Sequence, residues 1–150
     1  MTGIELSSAA FGDHAAIPRH HSGEGDDVSP PLAWSAVPEG TTELVLLCED
    51  PDAPGGTFLH WLVTGIDPGS SGTAEGGTPS GGQEWPNGFG RTGWGGPMPP
   101  RGHGEHRYFF RLWAVAEPLP LRGRPTADAV HRAVAGRELA SGTLVGTYQR

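Results

Sequence analysis

Three stretches carry the apolar patterning of strands. TELVLLCED at 42–50 is a continuous apolar run, as expected of a strand buried on both faces. TFLHWLVTGI at 57–66 alternates more visibly, which places Phe58, His60, Leu62, Thr64 and Ile66 on one face and Leu59, Trp61 and Val63 on the other. In RYFFRLWAVA at 107–116, Tyr108, Phe110, Leu112 and Ala114 share a face opposite Arg107, Phe109, Arg111 and Trp113. One helix is expected after Thr126, a good N-cap, with Asp128 in the positive first turn and Val130, Ala133 and Val134 on one side. Gly142 is the expected stop, followed by a last short strand, TLVGTY at 143–148. These elements predict a mainly β sandwich or Greek-key arrangement with a late helix.

Residues 67–104 show no periodicity. A stretch that long inside a compact chain is usually functional or disordered. Trp85, Phe89 and Trp94 give this one apolar anchors, so an ordered loop that builds a surface is expected. The 150 residues suit one domain, 1–150. The 25 glycines and 15 prolines mark a turn-rich chain, and five tryptophans argue against disorder as their cause.

Charge and residue usage remove several function classes. The net charge of −7 argues against nucleic-acid binding through phosphate neutralisation. The basic residues are all arginine, which excludes lysine Schiff-base chemistry and a P-loop lysine. A single cysteine, Cys48, excludes an intrachain disulfide and a cysteine-based zinc site. No basic-then-apolar leader and no membrane-length apolar run is visible, so a cytoplasmic location without stable membrane anchoring is expected.

Several motifs fail their context. GFGRTG at 88–93 fits G-x-G-x-x-G but neither follows a strand nor opens a helix. No serine sits in G-x-S-x-G. His103 and His106 with Asp50 or Asp52 could hold a metal, but their spacing would face them together only on a helix, which Pro99, Pro100, Gly102 and Gly104 forbid. His20 and His21 are adjacent, which suits one shared metal poorly. No metal site and no cofactor are expected.

What is left is DPDAPGG at 50–56 and HRY at 106–108. The first reads as a turn, yet it places two carboxylates beside a strand carrying His60, for which Asp50 is the expected hydrogen-bond partner. If the strand ends converge, Asp50, His60, His106 and Tyr108 line one cavity whose imidazoles, phenol and backbone N–H groups suit anion recognition. On residue types alone, that reading and a satisfied polar turn stand level.

DPDAPGGTFLHW, followed by GGPMPPRGHGEHRYFF, resembles the two signature blocks of the phosphatidylethanolamine-binding protein family, in its bacterial Raf-kinase-inhibitor-like branch. IPRHHSGEGDDVSPPLAWSAVPEGT at 17–41 and LVGTYQR at 144–150 extend the resemblance over nearly the whole chain. It implies an antiparallel Greek-key β-sandwich with a peripheral C-terminal helix. It also implies a ligand pocket made of Asp50, Asp52, Pro54, His60, Met98, Pro99, His106 and Tyr108. Ala53–Pro54 is the bond to examine for cis geometry, and His103 falls outside the pocket, on the solvated rim. The implied ligands are a small phosphate-like anion or phospholipid headgroup. The implied role is non-catalytic and regulatory, through a protein partner such as a kinase, and a homodimer is the family-based expectation. Two alternatives stay open: a phosphoester or ester hydrolase with His60 or His106 as general base, and a partner-binding module using the 67–104 loop.

Overall fold

The computed structural model describes residues 3–150. The strands are β1 (Glu5–Ser7), β2 (Ala15–Ala16), β3 (Leu32–Ser35), β4 (Glu43–Asp50), β5 (Phe58–Ile66), β6 (Gly72–Thr73), β7 (Gln83–Glu84), β8 (His106–Val115) and β9 (Glu138–Tyr148), with one α-helix, α1 (Ala127–Val134). They form a six-stranded sheet in the order β2-β9-β8-β4-β5-β7 and a three-stranded sheet in the order β1-β3-β6. The centre is antiparallel: β4 lies between β5 and β8, with Leu46 opposite Val63 on one side and Leu112 on the other. β8 is reached from β5 only across a long connection, the Greek-key feature of the sandwich. One edge departs from the antiparallel expectation, since β2 pairs with β9 in parallel.

The large sheet is covered on both faces, which explains the unbroken apolar run of β4. Leu44, Leu46 and Cys48 pack with Trp61, Tyr108, Phe110 and Leu112 against the small sheet's Leu6, Leu32 and Trp34. Val45 and Leu47 point the other way and pack with Leu59, Leu62, Trp113 and the helix residues Val130 and Val134. At about 25 cal/mol per Å2 of apolar area, each such side chain contributes roughly 1.5–3 kcal/mol. Thr126 caps α1 as expected, its hydroxyl accepting from the Ala129 N–H at 3.1 Å.

Two expectations need correction. β5 does not alternate cleanly. Its register against β4 slips at two points, one where Cys48 and Glu49 face Trp61 and Leu59 and leave His60 as the extra residue. Such a bulge re-aims side chains. Trp61, Val63 and Ile66 share the inter-sheet core, while Leu59 and Leu62 face the helix. The helix also ends before Gly142, at Ala135, with Gly136 at φ 82°. Gly142 lies inside β9, opposite Leu112, where a Cβ would run into the Ile4 carbonyl. Close backbone approach, not a helix stop, is what requires glycine there.

Because β4 runs antiparallel to both neighbours, its C-terminal end meets the N-terminal ends of β5 and β8. Asp50, Phe58 and His106 are therefore brought to one edge. The 67–104 segment wraps towards this edge, ordered by β6, β7 and a bridge between Pro86 and Thr92. Its tryptophans turn inward. The Trp85 indole N–H donates to Thr64 Oγ1 at 2.8 Å, and that of Trp94 to the His21 carbonyl at 3.1 Å. Trp94 also stacks on Phe110. Both are partly buried and brace the sandwich. Among the described residues no helix is long and apolar enough to cross a membrane.

Candidate functional site

A cavity of about 180 Å3 opens where β4, β5 and β8 meet. Asp50, Pro54, His60, Met98, Pro99, His106 and Tyr108 line it together with Ala53, Phe58, Phe89 and Pro100. The mouth is apolar, with Phe89 and Met98 exposed, and the polar groups lie at the base, where Asp50, His60, His106 and Tyr108 are buried.

His60 sits among rings. Its imidazole lies edge-on to Phe89 and Tyr108 and is tilted against Phe58, with centroids 4.8–5.7 Å away. Burial pushes its pKa below the ordinary value, an effect opposed by the hydrogen bond to the Gly95 carbonyl and by the Asp50 charge. Nδ1 lies 2.6 Å from that carbonyl, which can only accept, so Nδ1 carries the proton and neutral His60 has a lone pair at Nε2. The Gly95 N–H returns a bond to the His60 carbonyl at 3.0 Å. This double link needs glycine at 95, because a Cβ would strike the Phe89 ring.

Asp50 is not the partner of His60, as the sequence suggested, but of His106. His106 Nδ1 donates to Asp50 Oδ2 at 2.7 Å, both groups being almost fully buried. Asp50 Oδ1 accepts the Asp52 N–H at 2.7 Å. On its other side, His106 Nε2 lies 2.6 Å from His103 Nδ1, with the rings edge to face. With the His106 proton held on Nδ1 by the carboxylate, the neutral chain has His103 donating to His106 Nε2. His103, exposed and outside the cavity lining as expected, nevertheless forms a hydrogen-bonded pair with His106. The spacing does not need a helix. Gly102 and Gly104 adopt φ of 73° and 88°, and a turn closes from the His103 N–H to the Pro100 carbonyl.

Tyr108 supplies an O–H. Burial, then the Asp50 charge, raises its pKa far above the usual phenol range, so it stays protonated. Among the described residues its hydroxyl has no hydrogen-bond partner. Asp52 does not line the cavity. Its carboxylate holds Arg107 at 2.8 and 3.0 Å and accepts the Arg107 backbone N–H at 2.9 Å, and the Arg107 hydrogen bond brings its pKa down to about 2. It clamps the start of β8 to the end of β4. The Ala53–Pro54 bond is trans, as are all peptide bonds among the described residues. The tight return to β5 is made by a turn closing from the Gly56 N–H to the Ala53 carbonyl, with Gly56 at φ 106°.

Ala53 and Pro100 were not singled out as wall residues, since they carry no chemistry that sequence reasoning could weigh. Phe58 and Phe89 were visible only as a strand residue and a loop anchor. The signal for His103 was present in the H-x-x-H spacing.

The cavity's chemistry is acceptor-rich while both imidazoles are neutral. Among the described side chains that line it, the Tyr108 O–H is a donor without a partner, and Asp50 is a buried carboxylate at the base. Protonating His60 turns its Nε2 lone pair into a donor and supplies the positive charge an anion needs.

The family model for phosphatidylethanolamine-binding protein matches residues 7–149. A Mycobacterium tuberculosis protein named "Putative lipoprotein LppC" is 47% identical over 148 residues, covering 97% of this chain and 72% of that protein. A UPF0098 protein of Aquifex aeolicus is 41% identical, covering 98% of this chain and 89% of that one. The crystal structure of Escherichia coli YbcL, described as a member of the mammalian PEBP family, matches with a TM-score of 0.89 at 28% identity over 99% of both chains. With nearly its whole length matched, in sequence and in fold, the chain belongs to the phosphatidylethanolamine-binding protein family, in its bacterial branch.

Proposed function

We propose that the protein binds a small phosphate-bearing anion in the cavity between Asp50, His60, His106 and Tyr108, without catalysing its conversion. Family membership supports a ligand-binding, regulatory type of role in general. The observation that carries the specific reading is the convergence of two imidazoles and an unpartnered phenol at the base of a cavity of about 180 Å3. That volume suits a phosphate group with a short substituent lying along the apolar mouth of Phe58, Phe89 and Met98. Tyr108 donates to one phosphate oxygen, and His60, once protonated, donates to another. Asp50 orients His106 through the hydrogen bond from its Nδ1.

The hydrolase alternative draws on the Asp50–His106 pair, which resembles an oriented general base. Against it, the lining residues include no serine, threonine or cysteine nucleophile, and His106 Nε2 is already engaged by His103. The partner-module alternative draws on Trp85 and Trp94, which are partly buried and tied to the sandwich by hydrogen bonds, so it has less support. A homodimer and a regulatory protein partner belong to the same proposal, to be tested by sedimentation and by affinity capture with a Tyr108→Phe control. A cytoplasmic location is also proposed, although the LppC relative's name suggests a lipoprotein; cell fractionation decides it.

Isothermal titration with inorganic phosphate and with phosphoethanolamine, at pH 6 and pH 8, tests the binding. The expected result is 1:1 binding, tighter at pH 6, and weakened in Tyr108→Phe. No heat in either buffer from folded protein overturns it. Turnover of a phosphoester that vanishes in His106→Ala would favour the hydrolase.

A further inference from the structure

On the opposite side of the segment that walls the cavity, a second cluster of histidines is left over. His20 and His21 sit in a 3-10 turn at Arg19–His21 and face Glu75 in the β6–β7 loop. The adjacency that made a shared metal look unsuitable is overcome by this turn, which sets the two rings edge to face with centroids 5.1 Å apart. One nitrogen or oxygen from each of His20, His21 and Glu75 lies within 4.8 Å of the others.

The hydrogen bonding behind the cluster fixes which atoms face inward. His21 is almost fully buried, and its Nδ1 lies 2.9 Å from the Val28 carbonyl. A carbonyl only accepts, so His21 Nδ1 carries the proton and Nε2 is a lone pair in the neutral ring. That lone pair is aimed at Glu75 Oε1, 3.9 Å away, beyond hydrogen-bond distance. His20 lies between two carboxylates, Nδ1 at 3.2 Å from Asp26 Oδ2 and Nε2 at 3.1 Å from Glu75 Oε2. A neutral imidazole has one proton and can satisfy only one of them. The cluster therefore has more acceptors than donors at its centre. The hydrogen bond between His20 Nε2 and Glu75 Oε2 leaves the His21 Nε2 lone pair facing a carboxylate oxygen. A cation at the centre resolves all of these contacts together.

We propose that His20 Nε2, His21 Nε2 and Glu75 form a binding site for a divalent cation of the zinc type. Two imidazoles and one carboxylate match that preference, softer than magnesium or calcium sites and harder than thiolate sites. Ligands about 2.0–2.1 Å from a tetrahedral metal lie about 3.3 Å apart. A cation would therefore draw together ligand atoms that now lie within 4.8 Å of one another, with the two Glu75 oxygens at 3.1 Å from His20 Nε2 and 3.9 Å from His21 Nε2. His21 is backed through Nδ1 by a backbone carbonyl, the outer-shell arrangement that orients metal-binding histidines, and the Asp26 carboxylate lies 3.2 Å from His20 Nδ1. Three protein ligands leave a fourth position for water or a substrate atom. A cation here would tie the 3-10 turn to the β6–β7 loop. The His21 carbonyl that holds Trp94 would be fixed with it, steadying the 94–99 wall of the cavity from outside.

The test uses untagged protein stripped with a chelator and exchanged into chelator-free buffer at pH 7.5. Zinc is titrated calorimetrically, and cobalt(II) is added separately to read its visible absorption. One zinc per chain is expected, with a rise in Tm and the strong visible bands of a four- or five-coordinate cobalt site. Glu75→Gln and His20→Gln, both at exposed positions, should each weaken zinc by at least about tenfold and abolish the cobalt bands. His103→Ala identifies the one competing histidine cluster and should leave zinc binding intact. The proposal is overturned if wild type takes up no zinc, if Glu75→Gln binds as wild type does, or if His103→Ala removes the binding.

Discussion

Glu49 and Asp50 are neighbours at the end of β4, point to opposite faces of the sheet, and are both almost completely buried. Each accepts a hydrogen bond from a histidine on another element, His131 for Glu49 at 2.8 Å and His106 for Asp50 at 2.7 Å. What separates them is the third group. Glu49 also accepts from Arg111 at 2.6 Å, so a permanent cation matches its charge and the site is complete. Burial pushes the Glu49 pKa up, but the His131 and Arg111 hydrogen bonds outweigh it and the net shift is downward. Asp50 has no such cation. It is held by an imidazole and a backbone N–H and borders an open cavity. A fully compensated buried carboxylate acts as a strut between sheet and helix. An incompletely compensated one, with titratable imidazoles beside it, is a place where a ligand and a proton can enter together.

The comparison breaks most sharply at Glu49. Glu49→Gln strands the Arg111 guanidinium against a neutral amide and should cost about 2 kcal/mol, below the range for fully buried pairs because Arg111 and His131 are partly exposed. Urea unfolding measures this, and phosphate affinity should stay within about twofold of wild type. The Glu49 contribution has a pH signature. Its folded pKa lies below the ordinary carboxylate value, so its stabilisation is complete at neutral pH and is lost as pH falls below the ordinary glutamate range and through the folded pKa. Asp50→Asn should give the reverse pattern. The stability loss is smaller, about 1–2 kcal/mol, but phosphate affinity falls about tenfold because His106 loses the carboxylate that orients it at the base of the cavity.

A third expectation concerns pH. His60 has a lowered folded pKa, so the folded state resists its protonation, and stability declines as pH drops below about 6.5. A bound anion favours the protonated ring and offsets that decline. Saturating phosphate should therefore raise Tm more at pH 6 than at pH 8 in scanning calorimetry, and equal increments would contradict the account. The smallest effect is expected at His103. His103→Ala should change stability by under about 0.5 kcal/mol, while freeing His106 Nε2 and tightening phosphate binding a few-fold by titration.

How far the sequence carries is uneven along β4, β5 and β8. The unbroken apolar run of β4 and the alternation of Tyr108, Phe110 and Leu112 are simple periodic signals, and the structure follows them. β5 departs because two bulges insert residues, and no periodicity reveals where a strand will slip. Gly142 shows a different limit: a glycine read as a helix stop is demanded by the passage of a distant segment, Ile4. In the candidate site, residue types marked Asp50, His60, His106 and Tyr108, but not their pairing. Which histidine Asp50 holds depends on the Gly95 carbonyl, brought to His60 by a loop without periodic pattern. The His103 contact depends on two left-handed glycines.

The most direct test compares the ring nitrogens of the seven histidines by nitrogen–proton NMR at pH 6 while phosphate is added. The account predicts that His60 gains an Nε2 proton and that the His60 and His106 signals shift together with one saturation curve, while His131, on its completed carboxylate, does not move. Phosphate shifts that leave His60 and His106 unchanged, or that appear equally at His131, would contradict it.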